Sequence, residues 1–70
     1  MYRFFVPEEQ IYDEYVVITG DDVNHIKNVL RMERGEHAVV SGGRGTDYYC
    51  VIREVRPECI YLDIEKKEPV

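Results

Sequence analysis

Between Thr19 and Gly35 the apolar residues change spacing, from every second position to every third or fourth, and then change back. A chain that alternates on both sides of one such stretch is built of strands with a single inserted helix. Within the stretch, Val23, Ile26, Val29 and Leu30 fall on one side of a helix, and Asn24, Lys27, Asn28 and Arg31 on another. Thr19-Gly20-Asp21-Asp22 resembles a capping box, with Thr19 as N-cap and Asp22 in the place of the usual Glu. Asp21 and Asp22 also suit the positive end of the helix dipole. Gly35 is the expected stop, after a last turn of Met32, Glu33 and Arg34.

The flanking segments read as strands. Arg3-Phe4-Phe5-Val6 is a short one ended by Pro7, which has no ladder donor. Tyr15-Val16-Val17-Ile18-Thr19 is β-branched and aromatic, and residues 8–14 form a polar loop before it. After Gly35, Ala38 and Val40 alternate with His37, Val39 and Ser41. Gly42, Gly43 and Gly45 then make a hairpin connection. Tyr48, Cys50 and Ile52 share one face of the next strand, and Ile60, Leu62 and Ile64 one face of the last. Residues 56–58 form the turn between these two, and residues 65–70 read as a charged linker. Five short strands and one helix leave exposed edges in an open sheet. A small closed barrel, with the helix plugging one end, removes them. The expected fold class is therefore mainly β, with one helix after the second strand, in residues 1–64.

Composition narrows the function. Seventy residues make one domain, and one this size has little core to spare for an enclosed small-molecule pocket. A binding module, or a piece of a longer protein, is expected, with no catalysis of its own. No apolar run reaches the roughly 20 residues of a membrane span, and no secretory signal opens the chain; the expected location is cytoplasmic. Cys50 and Cys59 are the only cysteines, too few for a disulfide scaffold or a zinc site, and no metal is expected. Hairpin geometry keeps the two sulfurs apart, so both are expected as free thiols, Cys50 the more buried.

The net charge of −5 opposes nucleic-acid binding by the molecule as a whole. Its distribution does not. Residues 24–44 hold Lys27, Arg31, Arg34 and Arg44 against Glu33 and Glu36, with His25 and His37 in addition, and are the one segment of positive balance. Lys27 and Arg31 suit phosphates, while Asn or His suits sugar and base edges. The tyrosines can stack bases where exposed, or pack as half-buried core. No nucleophile, paired carboxylates or dinucleotide fingerprint is present.

Arg3-Phe4-Phe5-Val6, Thr19-Gly20-Asp21-Asp22, His25-Ile26, Val29-Leu30-Arg31, Gly35 and Gly43-Arg44-Gly45 followed by Asp47-Tyr48 together resemble the N-terminal domain of the RsmE family. These are 16S ribosomal RNA uracil-N3-methyltransferases. The resemblance covers essentially the whole chain. It implies a PUA-like barrel that recruits small-subunit ribosomal RNA. It also implies a C-terminal SPOUT-class methyltransferase domain beyond residue 70, which binds S-adenosylmethionine, forms a homodimer and packs with this domain. No cofactor is expected within these 70 residues. Arg3, His25 and Arg31 sit at the family's motif positions. With Lys27 and Arg34 they are the candidate RNA contacts, and Arg3 and Arg31 are expected on one surface. The alternative is a PUA-like barrel for protein–protein or interdomain packing, without direct RNA contact.

Overall fold

The computed structural model describes all 70 residues, Met1–Val70. Strands β1 (Tyr2–Phe5), β2 (Tyr15–Thr19), β3 (His37–Ser41), β4 (Thr46–Val55) and β5 (Cys59–Pro69) form one sheet in the order β1-β3-β4-β5-β2. β1 runs parallel to β3 and every other pairing is antiparallel. The sheet curls into a half-barrel. The mainly β class, the five strands and the small PUA-like shape agree with the sequence reading. The expected complete closure is not reached, because β1 and β2 stand at opposite ends of the strand order with no ladder between them.

Inward-facing residues of all five strands meet in one cluster. It takes Phe4 from β1, Val16 and Ile18 from β2, and Ala38 and Val40 from β3. β4 adds Cys50 and Ile52, and β5 adds Ile60 and Leu62. The period-two phase read from the sequence for β3, β4 and β5 is the phase observed. A shift of one residue would have turned these side chains outward. β5 continues through residues 65–69, expected as linker, because β4 starts at Thr46 and its first residues need partners. Thr46 pairs with Pro69, Asp47 with Glu68, Tyr48 with Lys67 and Tyr49 with Lys66. The glycine turn that precedes β4 places Gly43 and Gly45 at φ 84° and 77°, a region open mainly to glycine.

The helix follows β2 as expected but differs at both ends. Its N-cap is Gly20, at φ 77° and ψ −149°, with no side-chain cap. Thr19 remains the last residue of β2, paired with Cys59, and its hydroxyl accepts from Gln10 Nε2 at 2.9 Å. One α-helical turn, Asp21–Asn24, runs into a π-helical turn, His25–Val29; together these nine residues are α1. The helix stops before Met32-Glu33-Arg34. Leu30 N donates to His25 O at 2.9 Å and Met32 N to Ile26 O at 3.0 Å. Between them Arg31 takes φ 53°. This is a left-handed C-terminal closure widened to the π period. The wider turn also corrects the predicted apolar face. Val23 and Ile26 are buried and Leu30 packs on the core, while Val29 is exposed.

Cys50 is fully buried and Cys59 partly so, and both are free. Cys50 lies opposite Ile64 in β5 and Cys59 opposite Thr19 in β2. Burial pushes the Cys50 thiol up to about 12, with smaller contributions from Glu65 and Asp63. A thiol-specific reagent on the folded protein at pH 8 is therefore expected to modify Cys59 and leave Cys50 intact until the chain is denatured. Faster modification of Cys50 would contradict this packing.

Candidate nucleic-acid interface

The five residues singled out in the sequence occupy two places. Arg3 stands on the outer face of the edge strand β1, opposite Val39 of β3. Its Nη1 donates to Ser41 Oγ at 2.7 Å and to Asp47 Oδ1 at 2.8 Å, and Ser41 Oγ donates to Asp47 Oδ1 at 2.8 Å. Register explains the triad: β1 is parallel to β3, and Ser41 is paired with Asp47 across the β3–β4 hairpin. Hydrogen bonds from Arg3 and Ser41 hold the Asp47 carboxyl below its usual range, and Asp47 raises Arg3 in turn. Arg3 thus ties β1 to the glycine hairpin through a single nitrogen, while its side chain stays 46 % exposed.

His25, Lys27, Arg31 and Arg34 belong to α1 and its exit. His25 is exposed at the start of the π-helical turn. Lys27 lines a notch of about 330 Å³ between the helix and the β4–β5 turn, with Gly20, Asn24, Asn28 and Glu58. There Asn28 Nδ2 donates to Asn24 Oδ1 at 2.6 Å, across one turn. Arg31 is exposed at the left-handed closure. Arg34 is exposed as well; the hydrogen bond from Arg56 chiefly holds Glu54 below its usual range, with Arg34 a smaller contributor. No hydrogen bond, ion pair or shared cleft joins Arg3 to these helix residues.

Ion pairing divides the cations. Arg3 pairs with Asp47, Arg44 with Glu8, Arg53 with Asp63, Arg56 with Glu54 and Lys66 with Glu68. Lys27, Arg31 and Arg34 pair with nothing, and the same holds for Lys67. Three of the four unpaired cations thus fall in the positive segment of the sequence.

A second surface, on the outer face of β2, β4 and β5, gathers three of the tyrosines read as candidate stacking residues around two arginines that the sequence did not single out. Tyr12 stacks on Tyr15, centroids 4.7 Å apart and planes at 17°. The Arg53 guanidinium lies 5.6 Å from the ring centres of both Tyr15 and Tyr61, and that of Arg56 lies 4.9 Å from Tyr61. Residues 45–70 are acidic in balance, so their arginines drew no attention. The available signal was the alternation that puts Tyr61 on the face opposite Ile60 and Leu62.

A curled five-stranded sheet with one short helix after the second strand, bearing unpaired cations beside that helix, is the architecture of a small PUA-like domain. The sequence model of a family described as RNA methyltransferase PUA domain matches residues 18–65, more than half of the chain. The chain belongs to that family.

Solved structures agree. A protein from Porphyromonas gingivalis described as a probable rRNA-methyltransferase is 26% identical, with a TM-score of 0.82 over 100% of this chain and 28% of its own. Ribosomal RNA small subunit methyltransferase E from Neisseria gonorrhoeae, bound to S-adenosyl methionine, shares the fold at 23% identity. Its TM-score is 0.79 over 97% of this chain and 28% of its own. A Thermotoga maritima protein described as a predicted RNA methyltransferase also shares the fold, at 19% identity. Its TM-score is 0.85 over 99% of this chain and 31% of its own. No curated protein matches the sequence significantly. The chain thus spans less than a third of the length of these structures.

Proposed function

We propose that this chain is the RNA-recruiting domain of a methyltransferase that modifies a uridine at N3 in small-subunit ribosomal RNA. The observation that carries the reading is that Lys27, Arg31 and Arg34, alone in their region, hold no carboxylate partner. A cation already paired must give up that pair to meet a phosphate, whereas an unpaired one only releases solvent and counterions. His25 and Asn28, beside them in sequence, add donors for sugar or base edges. The free nitrogens of Arg3 supply a separate phosphate contact at the glycine hairpin.

The family supports an RNA substrate, and the Porphyromonas and Neisseria relatives, described as ribosomal RNA methyltransferases, support the assignment to ribosomal RNA. The largest cleft, about 760 Å³, lies on the sheet surface with Asp13, Glu14 and Asp63 among its lining, and no core residue encloses it. In this reading S-adenosylmethionine, which the Neisseria relative binds, belongs with catalysis and homodimer formation to a C-terminal domain of a cytoplasmic enzyme. A packing role against that domain draws on Phe5, an apolar side chain left 73 % exposed.

Titrating the chain with a small-subunit ribosomal RNA fragment at increasing salt separates the two. Four phosphate contacts, three at the helix and one at Arg3, predict a log–log slope of about −3 to −4. A slope near zero, or no binding at low salt, would favour the packing role.

A further inference from the structure

The cleft of about 760 Å³ on the outer sheet face is lined by Tyr12, Asp13, Glu14, Tyr15, Arg53 and Asp63, with two isoleucines. We propose that it is a second RNA contact, taking one unpaired nucleobase, guanine above the others. The proposal rests on the RNA-recruiting role argued above, and adds a site that reads base identity.

Three observations converge. First, the cleft offers aromatic and guanidinium faces. Tyr12 is 46% exposed and already stacked on Tyr15, and Arg53 bridges Tyr15 to Tyr61. Bases stack on such planes whatever their sequence.

Second, its wall is ordered in advance. Tyr12 N donates to Tyr15 O at 2.8 Å and Ile64 N to Glu14 O at 2.9 Å, and Ile11 bridges to Val16. Binding then has little loop to immobilise.

Third, its polar lining is acidic. Arg53 is engaged by Asp63 at 3.4 Å, while the carboxylates of Asp13 and Glu14 have no partner. Carboxylates repel phosphate, so the sugar–phosphate chain stays outside the cleft. They accept hydrogen bonds, so a base with donors on its edge is favoured. Guanine presents N1–H and N2–H₂ side by side, a match for one carboxylate. Uracil presents a single N–H between two carbonyls, which face the carboxylates unfavourably.

The test uses the intact chain and four single-stranded heptamers, U-tracts that differ only in a central G, A, C or U. The G heptamer is expected to bind about tenfold more tightly than the all-U one, the scale of one well-placed base contact. Tyr12→Ala should erase the difference and Tyr12→Phe should preserve it. The Tyr12 ring protons should shift on addition of the G heptamer. Equal affinity for all four, or a preference that survives Tyr12→Ala, overturns the base site. If Arg31→Ala then still weakens all four alike, the RNA-recruiting reading stands without it, and the outer face is assigned to protein contact. Failure of the wild-type chain to bind any heptamer or the ribosomal fragment overturns both.

Discussion

Ile26→Ala is expected to destabilise the domain by about 2–5 kcal/mol, the range for removing a buried isoleucine side chain where the surroundings relax only partly. Ile26 has no exposed surface and sits in the main cluster with Val16, Ile18, Ile60 and Leu62. The loss is severe because small domains have only about 5–15 kcal/mol in total, with the smallest toward the lower end. It also falls on the element least able to stand alone. Nine helical residues divided between an α and a π turn have few hydrogen bonds of their own, and isolated helices below about 12–15 residues are marginal in water. Packing of Val23 and Ile26 is what holds α1 on the sheet. Chemical denaturation should show a lower midpoint with little change in slope. Val29→Ala, one turn away and exposed, should move the midpoint hardly at all. Similar losses for the two would restore the regular α-helical face read from the sequence.

That contrast marks where the sequence was legible. The phases of β3, β4 and β5 were, because a two-residue period has only two settings and burial chooses one. β2 was delimited to the residue, Tyr15–Thr19. Helix identity was legible from Val23 and Ile26, but its end was not. A π turn shifts the apolar face by one position, and Val29-Leu30 supplied an apolar residue for either register. The extent of β5 was hidden for another reason. Glu65-Lys66-Lys67-Glu68 is a solvated strand whose pairing is dictated by β4, and charge alone does not separate such a strand from a linker. The candidate site divides in the same way. Lys27, Arg31 and Arg34 stand out in sequence by local charge. The pairing of Arg3 with Asp47, 44 positions away, and the meeting of Tyr12 and Tyr15 with Arg53 and Tyr61, depend on strand order. No local pattern encodes that order.

Arg31→Gly is expected to weaken RNA binding by about 10- to 100-fold, the loss of one charge-assisted contact, while leaving the fold as stable as before or more so. The backbone makes this combination diagnostic. Arg31 is the one non-glycine residue at positive φ. Left-handed backbone costs an L-residue roughly 1–2 kcal/mol, and glycine is the usual occupant of this closing position. An arginine kept there forgoes that stability, and no hydrogen bond or ion pair of its side chain within the domain returns it. An exchange of this kind fits a side chain retained for a partner outside the domain. The glycine variant relieves the backbone and removes the charge in one step, so stability and affinity should move in opposite directions. The salt dependence should also become shallower by about 0.7–0.9, the contribution of one phosphate. Arg31→Ala keeps the Cβ and the strained backbone; it should match the affinity loss without the gain in melting temperature. Arg31→Lys should recover part of the binding, since a point charge replaces a planar fork. A glycine variant that melts earlier and binds RNA as well as the wild type would make Arg31 a structural residue, and leave Lys27 and Arg34 alone to carry the charge-based recruitment.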